Sequence, residues 1–129
     1  MEPVEVVMAH YEAMSRGDVE AAMRNFAADV RWTEAAGWPY PGTSVGREEV
    51  LANVFGQISR DWEKFAAIPS EPVAQGDTVV VLGTYRGTHR VTGRAFDARF
   101  AHVWRVRGGE VVEMEQIADS ARALAVMGQ

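Results

Sequence analysis

The chain has 129 residues, of which 47% are hydrophobic and 24% are charged, and its net charge is −5. This length fits one domain over residues 1–129, large enough to bury a genuine core. The acidic balance argues against a nucleic-acid or anionic-membrane partner, and the lack of cysteine excludes disulfides and a thiolate nucleophile. No signal-peptide pattern and no apolar segment of membrane-spanning length occurs, so we expect a cytoplasmic protein.

The first half of the chain carries mainly helical patterns. Apolar residues at helical spacing predict a first helix that ends at Gly17 and a second helix from Asp18 to Asp29. A strand with alternating faces follows over 30–34, and the glycine- and proline-rich stretch 35–46 is expected to be loop. A third helix is predicted over 47–63, with an apolar stripe along one side.

The second half changes to the period of two that is typical of strands. Candidate strands lie at 65–74, 78–89, 95–107 and 110–118, and a short final helix begins at Ser120. Helices followed by a run of hairpins predict an α+β fold, with helices on one face of a mainly antiparallel sheet. Because the run Val79–Leu82 is apolar on both faces, we expect a second copy of the chain to cover the outer face.

Three segments carry a family resemblance: YEAMSRGDVEAAMRNFAADVRW, VGREEVLANVF and FDARFAHVWRVRGGEVVEMEQIAD. They resemble the nuclear-transport-factor-two-like superfamily, which includes ketosteroid isomerases, SnoaL-like polyketide cyclases, limonene-epoxide hydrolase and scytalone dehydratase. The resemblance implies a cone-shaped α+β barrel, in which three to four helices pack on a curved sheet around one deep apolar pocket. It also implies a small hydrophobic ligand and a homodimer formed through the outer sheet face.

Glu34 is the principal catalytic candidate. Alternation along its strand places it on the face of Val30 and Trp32, where desolvation would raise the pKa of the carboxyl toward neutrality. In the isomerase pattern this position carries the proton-shuttling carboxylate, and Glu34 is one carbon longer than the usual aspartate. The alternative interpretation is a solvated acid at the start of a loop.

His102 and Gln116 are polar residues at strand positions expected to face inward. His102 shares a strand face with Phe100 and Trp104, and isomerases place there a protonated acid that donates to an oxyanion. A histidine could donate, or act as acid or base; alternatively it is a core histidine bonded to a backbone carbonyl. Gln116 stands where limonene-epoxide hydrolase and the cyclases place an aspartate. Because glutamine cannot transfer a proton, it would orient a water or a carbonyl, or serve structure alone.

Tyr11 lies on the inner stripe of the first helix, which supplies the oxyanion tyrosine in isomerases. The stretch from Tyr11 to Gly17 is one residue shorter than in that pattern, which predicts a rotation of the side chain by about 100°. The sequence therefore leaves open whether Tyr11 reaches the pocket. The adjacent His10 is expected at the surface.

An apolar lining and a lid are also predicted. The expected lining residues are Trp32, Val54, Phe55, Ile58, Phe100, Trp104 and Met114. Trp38 and Tyr40 lie on the loop and could close over the pocket mouth or pack on the third helix. Such a lining suits a flat, greasy ligand held by few polar groups.

These residues predict a cofactor-independent acid–base enzyme of the isomerase, cyclase or hydratase/dehydratase type. One alternative is a non-catalytic protein that binds a small hydrophobic ligand, and a further alternative is an activity like that of limonene-epoxide hydrolase. The sequence has no dinucleotide or phosphate-binding loop and no zinc-type histidine spacing, so we expect neither a cofactor nor a metal.

Overall fold

The computed structural model describes residues 1–128, which form five helices, one π-helical turn and six strands. The helices are α1 Pro3–Ser15, α2 Val19–Ala22, α3 Arg47–Val50, α4 Gly56–Asp61 and α5 Ser120–Val126, and the π turn is Leu51–Phe55. The strands are β1 Phe26–Glu34, β2 Gly42–Val45, β3 Trp62–Gln75, β4 Thr78–His89, β5 Ala95–Arg107 and β6 Glu110–Ala118. No helix in this part of the chain is long and apolar enough to cross a membrane.

The six strands form one sheet in the order β2-β1-β6-β5-β4-β3. Every neighbouring pair is antiparallel except β1 and β6, which run parallel. Helix α1 packs across β3–β6, so the core lies between the helices and the concave face of the sheet. This arrangement confirms the predicted α+β cone with a mainly antiparallel sheet.

The segment after the first helix differs from the prediction. Helix α2 ends at Ala22, and Phe26 already belongs to β1, where it pairs with Val111. The apolar residues of this segment fit a helical stripe and a buried strand equally well. The pairing with β6 selects the strand. The stretch predicted as loop contains β2, which extends the sheet by pairing with β1.

The predicted third helix is divided and ends early. The N–H of Gly56 donates to the carbonyl of Leu51, which widens the helix into a π turn. Trp62 is buried and begins β3 instead of closing the helix. A π turn of this kind is frequent at functional sites, and here it carries Val54 and Phe55.

The convex face of the sheet carries exposed apolar side chains. Leu82 and Ile117 flank Ala101 in register across β4, β5 and β6, and they are 48% and 55% exposed. Val79 and Val81 on the opposite face are fully buried. The apolar residues on both faces of β4 therefore match the predicted pattern.

Candidate active site

A cavity of about 550 Å³ lies between the helices and the concave face of the sheet. Its apolar wall includes four of the predicted lining residues, Trp32, Val54, Phe55 and Ile58. Its buried polar lining residues are His10, Tyr11, Glu34, Tyr85 and His102. The cavity thus combines a large apolar surface with a small set of polar groups, as small-molecule sites do.

Glu34 is the last residue of β1, and its side chain forms part of the cavity wall. The side chain is 5% exposed, and its carboxyl has no hydrogen-bond partner among residues 1–128. Burial raises the pKa of Glu34 from its ordinary value of 4.5 to about 8, and the nearby Trp32 indole opposes this rise. That indole N–H makes no full hydrogen bond within the described residues, so its approach to the carboxyl offsets the effect of burial only in part. Glu34 is therefore mostly protonated at pH 7, and the solvated alternative is wrong.

His102 lies at the centre of a buried hydrogen-bond chain. The Tyr11 hydroxyl is 2.6 Å from its Nδ1, and the Tyr85 hydroxyl is 2.6 Å from its Nε2. Trp104 Nε1–H donates to the Tyr11 hydroxyl at 2.9 Å, and Gln116 Nε2–H donates to the Tyr85 hydroxyl at 2.8 Å. Burial, with the nearby His10, lowers the pKa of His102 from 6.5 to about 3, so the imidazole is neutral.

Because His102 is neutral, only one of the two tyrosine hydroxyls can donate its proton to the imidazole. A neutral imidazole has one N–H donor and one bare nitrogen acceptor. One tyrosine therefore donates to His102, and the other accepts from it. The accepting tyrosine keeps its own O–H proton free, because its second contact, from Trp104 or Gln116, is also a donor. Either tautomer leaves one phenolic donor available beside the cavity.

Gln116 positions other residues and does not line the cavity. Its side chain is 2% exposed, and its Oε1 accepts from the backbone N–H of Ala35 at 3.0 Å. Because this bond fixes the amide orientation, the Nε2 group must donate to Tyr85. Gln116 thereby connects the residue that follows Glu34 to the tyrosine–histidine chain.

Tyr11 and His10 both differ from their predicted placements. The rotation expected for Tyr11 is absent, because the buried face of α1, with Val6 and Val7, sets the helix orientation independently of the distance to Gly17. His10 is 7% exposed instead of lying at the surface, and it lines the cavity. Its Nδ1 lies 3.0 Å from the backbone carbonyl of Ala22.

Three predicted lining residues lie behind the wall instead of on it: Phe100, Trp104 and Met114. Phe100 stacks on His102 at a ring distance of 4.0 Å and contacts Tyr85 in a tilted arrangement at 4.5 Å, so it supports the polar chain from behind. The prediction placed them on the correct sheet face. It was wrong about lining because the polar rings and α1 separate them from the cavity.

The predicted lid formed by Trp38 and Tyr40 is wrong. Both residues are buried, at 2% and 7% exposure, and neither lines the cavity. Trp38 packs on Tyr85 at 5.0 Å, while the Tyr40 hydroxyl donates to Asp61 and accepts from Trp62 Nε1–H. These contacts hold the loop 35–41 onto the core, which is the packing alternative in a different place.

Tyr85 was missed by the sequence reasoning, although a signal for it exists. It lies two and four positions beyond Gly83 and Val81, on the same inward face of β4. A tyrosine at the end of such an apolar series is a candidate for a buried hydroxyl. Among the described residues no three His, Cys, Asp or Glu side chains come together in a way that could hold a metal ion.

The fold and this site define a protein of the nuclear-transport-factor-two-like class. The chain belongs to the SnoaL-like domain family, which matches residues 7–114. It is similar to an NTF2-like protein of Burkholderia thailandensis, with 38% identity over 97% of this chain and 96% of that one, at a TM-score of 0.94. No curated protein matches the chain.

Two further solved structures resemble the chain. TerC, co-crystallised with polyporic acid, is 25% identical over 98% of both chains, with a TM-score of 0.88. IdmH of Streptomyces antibioticus, a proposed polyketide cyclase, is 29% identical over the full length of both chains, with a TM-score of 0.81. The fold is therefore shared with proteins of several descriptions, and function must be argued from the site.

Proposed function

We propose that the protein is a cofactor-independent acid–base enzyme acting on a small hydrophobic molecule. The observation that supports it most is the unpartnered, buried carboxyl of Glu34 in the wall of an apolar cavity that also contains a phenolic donor. A carboxyl with a pKa near 8 is closer to neutrality than an ordinary glutamate, which suits proton transfer at carbon. Isomerisation, aldol-type cyclisation and hydration or dehydration all use this step.

In the proposed step the ionised fraction of Glu34 removes a proton from the carbon beside a substrate carbonyl. The electron pair of the C–H bond forms a carbon–carbon double bond, and the π pair of the carbonyl moves to its oxygen, which becomes an enolate oxygen. The free hydroxyl proton of Tyr11 or Tyr85 hydrogen-bonds to that oxygen as its charge develops. Glu34, now protonated, returns the proton to a different carbon or releases it when the product forms.

Deuterium exchange into 2-tetralone, an apolar ketone with acidic C–H bonds, tests this proposal without knowledge of the natural substrate. The protein should accelerate exchange measured by proton NMR, and Glu34→Gln should reduce the acceleration by roughly 100-fold or more. Tyr40→Phe is the matched control, because Tyr40 is buried outside the cavity. Exchange by Glu34→Gln at the unmodified rate would contradict the proposal.

A non-catalytic ligand-binding protein is the second candidate. It is favoured by Gln116, whose amide cannot transfer a proton. Enzymes whose sequences resemble this segment have an aspartate at that position. Binding of 2-tetralone without accelerated exchange would support it. An epoxide hydrolase ranks last, because no aspartate lines the cavity within residues 1–128.

We also propose that two copies associate through the convex sheet face. Support comes from Leu82 and Ile117, which are about half exposed and flank Ala101 across β4, β5 and β6. Contiguous exposed apolar side chains of this kind mark association surfaces. Location in the cytoplasm stays a prediction of the sequence.

A further inference from the structure

His10 is a second buried polar group of the cavity, and the proposed step does not use it. Its ring packs against five aromatic side chains, with ring distances of 5.4 Å to Tyr11, 5.6 Å to Phe26, 6.0 Å to Trp32, 6.2 Å to Phe55 and 5.0 Å to Trp104. These contacts hold the imidazole plane in one orientation. The side chain is 7% exposed and lines the cavity.

The backbone carbonyl of Ala22 determines the tautomer of His10. A carbonyl oxygen can only accept a hydrogen bond, so the Nδ1 atom 3.0 Å away must carry the proton. Burial lowers the pKa of His10 to about 4, so the ring is neutral and holds one proton. Nε2 is consequently a bare acceptor nitrogen.

This acceptor is open to a molecule in the cavity. Nε2 of His10 has no hydrogen-bond partner among the described residues. The polar side-chain atoms within residues 1–128 that are both unpartnered and fully enclosed are the indole nitrogens of Trp32 and Trp38, so Nε2 of His10 keeps some accessible surface. Because His10 lines the cavity, a molecule bound there can approach its ring.

We propose that His10 Nε2 accepts a hydrogen bond from a hydroxyl group of the ligand, so that the substrate is an apolar hydroxy-carbonyl compound. The free tyrosine hydroxyl is a donor, which matches a carbonyl oxygen. Bare His10 Nε2 can accept but not donate, which matches an alcohol, phenol or enol O–H. A site built to accept from a hydroxyl discriminates strongly against analogues that lack it.

This inference rests on one part of the proposed function, namely that a small hydrophobic molecule binds in the cavity. It is therefore tested by measuring binding and not turnover. In ¹⁵N NMR of the unmodified protein, Nδ1 of His10 should carry the proton and Nε2 should be bare. Addition of 2-naphthol should shift the Nε2 resonance, whereas 2-methylnaphthalene, in which a methyl group replaces the hydroxyl, should shift it far less.

Two variants distinguish the roles of Nδ1 and Nε2 of His10. In His10→Asn the amide N–H can replace Nδ1–H as donor to Ala22, but no group replaces Nε2. In His10→Gln the longer side chain can place an amide oxygen near the position of Nε2. We expect His10→Asn to reduce the preference for 2-naphthol over 2-methylnaphthalene about tenfold, and His10→Gln to retain most of it.

Three results would overturn the assignment of His10. They are a proton on Nε2 in the unmodified protein, no effect of 2-naphthol on the Nε2 resonance, and an unchanged preference in a folded His10→Asn variant. If His10 responds as expected while Glu34→Gln exchanges 2-tetralone at the unmodified rate, the acceptor site stands and the catalytic proposal fails. The two failures are therefore distinguishable.

Discussion

Tyr11 and Tyr85 contact opposite nitrogens of one imidazole, each with its hydroxyl oxygen 2.6 Å from the ring of His102. Residues from α1, β4 and β5 are joined in this way across the core. Because the neutral ring can donate on one side only, the two tyrosines cannot be in the same hydrogen-bonding state. The cavity therefore has one phenolic donor, whichever tautomer His102 adopts.

Removal of either hydroxyl should destabilise the fold. Tyr11→Phe leaves Trp104 Nε1–H and one imidazole nitrogen unpaired, and Tyr85→Phe does the same to Gln116 and the other nitrogen. We expect each change to lower the free energy of unfolding by roughly 1–3 kcal/mol in urea denaturation. Both variants should also slow 2-tetralone exchange, whereas Tyr40→Phe should affect stability alone. Unaltered stability in both variants would mean that the chain of bonds does not form.

The stability of the protein should depend on pH through Glu34. Its pKa is about 8 in the folded chain and 4.5 ordinarily, so the folded state binds more protons than the unfolded state between these values. The stabilising contribution is present in full below pH 4.5 and is lost as pH rises to 8. Relative to Glu34→Gln, the unmodified protein should lose roughly 3–5 kcal/mol over this range.

Urea denaturation of both proteins at several pH values measures this difference. The buried His10 and His102 have lowered pKa values and destabilise both proteins below pH 6.5, so their contribution cancels in the comparison. Parallel stability curves for the two proteins would show that Glu34 ionises as an ordinary glutamate.

Gly83 should tolerate no side chain. A Cβ atom there would lie 2.3 Å from Phe100 Cζ and 2.5 Å from the carbonyl oxygen of Ile68. Gly83→Ala should therefore displace the ring that stacks on His102, at a cost of roughly 1–3 kcal/mol in the free energy of unfolding. Gly37→Ala is the control, because its Cβ would meet Ser120 at an ordinary 3.5 Å. Equal melting temperatures for the two variants would contradict this prediction.

Charge on the convex face should dissociate the proposed dimer. Leu82→Lys and Ile117→Lys each place an ammonium on the apolar surface, and sedimentation equilibrium should then give the monomer mass. Val91→Lys serves as control, because Val91 is 88% exposed in the β4–β5 connection, away from the strands of that face. A monomer mass for the unmodified protein would disprove the dimer proposal.

Sequence periodicity predicted most of the strands and the inward faces of Glu34, His102 and Gln116. It could do so because successive side chains of a strand point to opposite faces of the sheet, so the face of one residue follows from the face of its neighbour. The π turn at Leu51–Phe55 was not predictable in this way, since its residues fit an ordinary helix. The strand β2 was hidden by glycines and prolines that favour loops.

The partners within the site required three-dimensional information. His10 was assigned to the surface because it is adjacent to Tyr11 and so points away from the inner stripe of the helix, yet α2 and the aromatic residues of the core enclose it. Tyr85 was not recognised because its chemistry depends on His102 and Gln116, which lie on other strands. Spacing along one strand carries no information about such contacts.

The parallel pairing of β1 with β6 has a consequence for the order of assembly. β1 is synthesised well before its inner neighbour β6, because β2 to β5 lie between them in the chain. Trp32 gains its partner Met114 only when β6 has been made, and Gln116 can fix Tyr85 only then. Pairing so distant along the chain is slow to form. We therefore expect nascent chains to acquire binding competence abruptly, after β6 emerges, instead of gradually during elongation.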